Sequence, residues 1–219
     1  MKVLDIHTHQ CPSNDLGTAI FNYIDTTFST NEIPFQKGGY YSVGLHPWYL
    51  SELEEEIACQ FSWLNHCLES KQVIALGEAG LDKLAATPMD IQKAVFIKQI
   101  ELSEQKRLPL IIHCVRALDE LLQLKKKYHP VQPWIWHGFR GKKEQMNQLL
   151  QQGFYLSFGE FYQEEVIAAT PDERLFLETD ESKKKIEDLM VRAADIRSAT
   201  VEQLRETIQT NVRNVFFTE

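Results

Sequence analysis

The chain has 219 residues, 43% of them apolar and 25% charged, a balance that excludes a disordered or collagen-like chain. Asp and Glu number 31 against 23 Lys and Arg, a net charge of −8, which excludes a protein that coats nucleic acid through bulk positive charge but not an enzyme with a locally basic mouth. At this size a domain buries about 70% of its unfolded surface, so no disulfide or metal staple is needed merely to fold.

In chain order, residues 3–7 form the first apolar run and predict a strand. Residues 19–24 and 40–44 predict two more, the latter leading into Leu45-His46-Pro47. Residues 50–68 predict a helix with Ser51 as its cap and Glu54, Glu55 and Glu56 in its first turns, where the helix dipole favours acids. A fourth strand covers 73–77. Residues 90–106 repeat apolar residues at helical spacing (Ile91, Val95, Phe96, Ile100, Leu102). Strand five, 110–113, follows Pro109. Helices over 117–128 and 143–151 flank strand six, 134–137, and Gly153 marks a stop. Strands seven and eight cover 154–158 and 175–178. Two helices close the chain, 184–194 and 200–215, the second with a capping box of Thr200 and Gln203.

Strands alternating with helices imply a parallel sheet. Eight strands at about 27 residues per unit predict an α/β fold of small (β/α)₈ barrel type, with an open sheet of fewer strands as the alternative. Residues 10–18 are too few for a full crossover helix, so the first crossover is truncated. No linker divides the chain, and residues 1–219 are expected to form one domain. No run of about 18 apolar residues predicts a membrane span. Met1-Lys2 leads into Val3-Leu4 without a signal-type stretch. The four cysteines (Cys11, Cys59, Cys67, Cys114) form no C-x-x-C pair, so reduced thiols in a cytoplasm are the simplest reading.

Ionisable residues fall at the ends of these runs. Asp5-Ile6-His7-Thr8-His9 ends the first and Gly77-Glu78-Ala79-Gly80-Leu81-Asp82 the fourth. His113 ends the fifth, His137 the sixth, and Asp180 follows the eighth. In a parallel barrel the C-terminal strand ends converge on one face, where active sites sit. Side chains alternate along a strand, so His7 and His9 point the same way. Imidazole nitrogens and carboxylate oxygens are ligands for divalent metals. Six such groups exceed the needs of one tetrahedral ion, whereas two ions sharing a carboxylate would use them all.

These segments, with Gly44-Leu45-His46-Pro47, Pro109-Leu110-Ile111-Ile112-His113, His137-Gly138-Phe139-Arg140-Gly141 and Glu178-Thr179-Asp180, occur in an order that resembles the TatD family of metal-dependent hydrolases over nearly the whole chain. The resemblance implies a distorted TIM barrel, two divalent ions (Zn, Mg or Mn) and phosphodiester hydrolysis, typically as a deoxyribonuclease. It implies that His7, His9 and Asp180 hold one ion, that His113 and His137 hold the other, and that Glu78 bridges them. Asp180 would also take a proton from the attacking water, and His46 would face the substrate. The chain departs from the family pattern at Trp48, where many members carry a second His. Arg116 lies one position late behind Cys114-Val115, Glu181-Ser182 replace a Pro, and the substrate loop of the last strand is largely absent. These departures touch substrate recognition rather than the proposed ligands.

Blander readings exist for several positions. His7 and His9 could be a hydrogen-bonded pair, Glu78 a salt-bridged carboxylate, and Asp180 a helix cap. His66 and His129 read as surface residues. Cys11 is a loop thiol or approaches the metals, and Cys114 packs outward under a helix. Asp82 orients the strand-four loop, and Glu160 at the mouth is a possible supporting contact. Arg116, Arg140, Lys142 and Lys143 fall in loops of the metal face and suit phosphate contacts. Trp48, Tyr49 and Phe139 could stack on a base. The leading expectation is a monomeric deoxyribonuclease without sequence preference. The alternatives are a hydrolase of a small ester, amide or phosphate compound, and a metal-stabilised binding module without turnover.

Overall fold

A computed structural model describes residues 2–10, 16–29 and 35–217. Cys11 and its loop lie outside the described residues. Eight strands close into a barrel in which spatial order equals chain order and every neighbouring pair is parallel: β1 (Asp5–Thr8), β2 (Ala19–Tyr23), β3 (Tyr40–Val43), β4 (Val73–Asp82), β5 (Leu110–Val115), β6 (Trp134–Trp136), β7 (Tyr155–Phe158) and β8 (Leu175–Leu177). The barrel closes where Asp5 of β1 pairs with Leu177 of β8. Among the described residues seven helices surround it: α1 (Glu54–Cys67), α2 (Met89–Lys106), α3 (Leu118–Tyr128), α4 (Lys143–Gln151), α5 (Glu164–Ala169), α6 (Ile186–Ile196) and α7 (Val201–Phe216).

The first crossover is short as expected, and its described residues hold a 3₁₀ turn, Leu16–Thr18, before β2. Among the described residues the second crossover also lacks a helix. The expected Ser51 cap is not formed. Leu53 holds that position with no side-chain cap, while the Ser51 hydroxyl accepts from the Leu53 amide and donates to Glu56. At the far end of the chain the Thr200–Gln203 capping box forms. Helix α5 was not foreseen, because six residues are too few to show a helical period.

Strand β4 runs five residues beyond the expected 73–77, and all ten of its residues are buried. Glycine makes this possible. Gly77 (φ +144°) and Gly80 (φ +155°) lie so close to β5 that a Cβ would stand 2.5 Å from the Ile111 carbonyl oxygen and 1.9 Å from that of His113. Glu78 is therefore a mid-strand residue, not a strand end.

Helix α2 buries Gln92, Val95, Phe96, Gln99, Ile100 and Ser103. The two glutamines serve the site loops. Gln99 accepts from the Leu45 amide (2.8 Å) and donates to the Leu45 carbonyl (3.1 Å). Gln92 does the same to Asp82 (2.8 and 2.9 Å). Backbone that could find no ladder partner at these two corners is satisfied by the helix behind it.

Candidate metal centre

The C-terminal half of the barrel brings the other five expected ligands together around Glu78 of β4. One Glu78 oxygen, Oε1, lies 2.7 Å from His113 Nδ1, 2.8 Å from His137 Nε2 and 3.2 Å from His46 Nε2. The other, Oε2, lies 3.5 Å from both His7 Nε2 and His9 Nε2. Asp180 Oδ1 completes the ring, 3.5 Å from His9 Nε2 and 3.7 Å from His7 Nε2. The alternation of β1 turns His7 and His9 to the same centre. Their rings stand edge to face, 5.0 Å apart.

Asp180 is positioned by backbone. Its N–H donates to the His7 carbonyl (2.9 Å), and its carbonyl accepts from His9 N–H (3.1 Å). This extends the β1–β8 ladder past the end of β8, with Asp180 in the left-handed region (φ +54°). Buried Asp5 fastens the same corner, accepting from the Thr179 amide (3.1 Å) and hydroxyl (2.6 Å). Burial pushes the Asp5 carboxyl up to about 7 despite these donors.

His137 and His113 each have a second carboxylate behind them. Glu178 accepts from His137 Nδ1 at 3.2 Å. Asp82 contacts His113 Nε2 at 3.1 Å, takes the Trp48 indole N–H at 2.6 Å and caps the Leu84 amide at 2.7 Å. Such partners fix ring orientation and raise ligand basicity. His46 Nδ1 accepts from the Trp48 amide (3.1 Å), which leaves Nε2 to carry the proton facing Glu78. Behind Glu78, Asn22 Oδ1 accepts from the Glu78 amide at 2.9 Å.

Charge is concentrated here. Burial alone would raise Glu78, but His137, His113 and His46 hold its carboxyl well below the usual range. Burial disfavours the charged form of His137, yet Glu78 and Glu178 lift it well above an ordinary imidazole. His9 is raised in the same way, its burial outweighed by Glu78 and Asp180. For His46 burial prevails and lowers it. Burial raises Asp180, with His7 opposing.

The arrangement fits divalent ions. His7 is fully buried, and neither ring nitrogen has a hydrogen-bond partner. Such a polar group is costly unless something compensates it. The 3.5–3.7 Å separations around His7, His9 and Asp180 are too long for good hydrogen bonds. Two ligands ~2.1 Å from one ion at the tetrahedral angle stand about 3.4 Å apart. Three overlapping sets could each hold an ion: His7, His9 and Glu78; His7, His137 and Asp180; His46, Glu78 and His113. This grouping differs from the expected one. His137 falls with His7 and Asp180, and His46 stands in the set with Glu78 and His113. Glu78 belongs to two of the three sets.

The centre opens into a cavity of about 720 Å³ lined also by Trp48, Tyr49, Arg116 and Arg140. Lys142 and Lys143 are not in that lining. They are exposed at the start of α4, where the Lys142 amide donates to Gln145. Phe139 is 2% exposed and cannot offer its face to a base. Glu160 is taken by Ser182 and Lys184 and stands away from the metal sets. His66 and His129 are exposed. Cys114 is partly buried against the core, and burial pushes its thiol up to about 12. Glu178 and Asp5 stand in the same sequence motifs as the ligands, beside His137 and Thr179, whereas nothing in the sequence singles out Asn22. Among the described residues no helix is long and apolar enough to cross a membrane.

Comparison with known proteins agrees with this geometry. Residues 22–217 match the family model described as TatD related DNase. A segment is 34% identical over 150 residues to the uncharacterized metal-dependent hydrolase YabD of Bacillus subtilis, covering 64% of this chain and 58% of that protein. The chain is also 30% identical over 155 residues to the 3'-5' ssDNA/RNA exonuclease TatD of a Pantoea species, covering 64% of this chain and 56% of that protein. The matches thus span little more than half the length of these relatives. The crystal structure of YjjV, a TatD homologue from Escherichia coli K12, superposes with a TM-score of 0.81 at 21% identity, covering 100% of this chain and 99% of that one. A TatD family hydrolase from Entamoeba histolytica gives 0.79 at 19% identity, covering 99% and 98%. These two likenesses bear on the fold alone. By its family match over residues 22–217, the chain belongs to the TatD-related DNase family.

Proposed function

We propose that this chain is a hydrolase that uses two divalent ions to cut phosphodiester bonds in DNA. The observation that carries the reading is the convergence of five histidines, Glu78 and Asp180 at the floor of an open cavity. Its rim holds Arg116 and Arg140, neither paired with a carboxylate among the described residues. His7, His9, His113, His137 and Asp180 would hold the ions with Glu78 between them, and His46, whose Nδ1 is taken by the Trp48 amide, faces the substrate. Bound divalent ions supply Lewis acidity and lower the pKa of nearby water.

The protein's own groups do the rest. Asp180, whose carboxyl burial holds above its ordinary value, accepts the proton of the attacking water. Glu178 and Asp82 keep the His137 and His113 rings in place. Arg116 and Arg140 hold phosphate oxygens by charge-assisted hydrogen bonds. The name of the Pantoea relative, an exonuclease of single-stranded DNA and RNA, supports a nucleic-acid substrate. We place the protein in the cytoplasm, acting as a monomer.

The test is nucleotide release from an end-labelled single-stranded oligonucleotide with Mn²⁺, Mg²⁺ or Zn²⁺. Release should stop on chelation. Asp180→Asn should lower turnover by about 10²-fold or more, the scale of a lost general base. Near-normal turnover in that variant would place the base elsewhere. Turnover of small esters with none of DNA would move the substrate class.

A further inference from the structure

We propose that Phe161, with Arg140 laid across it, is a stacking shelf for one base of a single-stranded nucleic acid, so that the strand is gripped by an aromatic face on each side of the metal centre. The inference rests on the phosphodiesterase reading above and names the part of the substrate that the smaller chamber of the site receives.

Phe161 follows β7 and is 60% exposed, an unusual state for a phenylalanine with a core so near. The Arg140 guanidinium lies 5.3 Å from its ring centroid. The pair borders a chamber of about 370 Å³ that shares Gly138, Arg140, Asp180 and Glu181 with the main cavity. Arg140 and Asp180 thus border both spaces, with His9, His46, Glu78, His113 and His137 lining the main cavity and Phe161 lining the smaller one.

The barrel order sets the other half of the grip. Trp48 and Tyr49 follow β3, and β3 and β7 are four strands apart in a closed ring of eight. Trp48 and Phe161 therefore stand on opposite sides of the mouth. Trp48 is 57% exposed, yet its indole N–H is tied to Asp82 at 2.6 Å, so its face is held still. A phosphodiester over the centre has one nucleoside on each side, and the mouth offers each an aromatic face. Every base has a π-face, so such shelves accept any sequence. Bases stacked and paired inside a duplex offer no free face, so the shelf selects single strands. Arg140 adds a cation beside the ring where the neighbouring phosphate must pass.

The experiment compares Phe161→Ala with wild type on two oligonucleotides of equal length. One carries all its bases, and the other is abasic over the four nucleotides at the end from which wild type releases product. Metal content and melting temperature are recorded for both proteins. The expected result is a KM raised roughly five- to a hundredfold on the base-bearing strand, the scale of one lost base–aromatic stack. On the abasic strand wild type should already be as weak as the variant, and Phe161→Trp should restore the base-bearing KM. An equal loss on both strands would show that Phe161 only props Arg140, and no loss on either would show a solvated ring. Both overturn the shelf while wild type still cuts DNA. A wild type that cuts neither strand with any of the three metals removes the nuclease reading itself, and the shelf with it.

Discussion

Glu178 is the residue whose role is most exposed to test. It is fully buried, one oxygen faces His137 Nδ1 at 3.2 Å, and the other has no partner. Its contribution runs through the basicity and aim of the His137 ring. Glu178→Gln keeps the shape and removes the charge, so divalent-ion affinity measured by calorimetry should fall about 10- to 100-fold. An unchanged affinity would mean that His137 needs no orienting partner. The six expected ligands were legible because each stands in a short motif, five of them near or just past a strand end and Glu78 within the long β4, that the barrel must gather. Glu178 was hidden in plain view. It alternates with Asp180 in Glu178-Thr179-Asp180, and the motif's acidic role was given to Asp180 alone. Phe139 and Phe161 show the opposite limit. Both are phenylalanines in loops of the same face, and only packing reveals that one is buried and the other bare.

At the scale of the element, glycines and glutamines carry what apolar periodicity does not. The expected stripe on α2 was Ile91, Val95, Phe96, Ile100 and Leu102, yet the buried face adds Gln92, Gln99 and Ser103 and leaves Ile91 and Leu102 half-buried. A polar residue at a core position reads as surface until its partner is known, and here the partners are backbone groups of Leu45 and Asp82. Strand β4 is longer than its apolar run for a related reason. Glycine lowers strand propensity, but Gly77 and Gly80 are what let β4 press against β5. Gly80→Ala would drive a methyl to 1.9 Å from the His113 carbonyl oxygen at a φ that L residues rarely adopt. Its denaturant midpoint should show a loss of about 3 kcal/mol or more, and any soluble fraction should bind metal poorly because His113 is displaced. Thr200→Ala, which removes a capping box from an exposed helix start, should cost only about 1 kcal/mol. Comparable losses in the two variants would refute the close-approach account of β4.

For the whole molecule, the consequence is a stability that depends jointly on metal and pH. Ions that bind only the folded centre stabilise it by about 4 kcal/mol at a thousandfold excess over Kd. For a chain of this size that is a melting shift of roughly 8–16 °C, lost on chelation. Protons compete for the same nitrogens. Without metal, His137 and His9 have raised pKa values in the fold. The stability they contribute is present below the unfolded histidine pKa of about 6.5 and is lost as pH rises through their folded values. Asp5, raised to about 7, acts with the same sign, its contribution fading as pH climbs toward and past 7. Glu78, held low, acts with the opposite sign but titrates far below this range. The metal-free protein should therefore lose stability between pH 6 and pH 8. Over the same interval ions meet less competition from protons and bind more tightly. The melting-temperature gap between the metal-loaded and chelated protein should widen steadily with pH. Asp5→Asn should flatten the metal-free part of that trend, because Asn can keep accepting from the Thr179 amide while its own amide donates to the Thr179 hydroxyl. Melting curves at three pH values, with and without chelator, decide the matter. A gap that is constant or narrows as pH rises would show that the histidines carry no protons for the ions to displace.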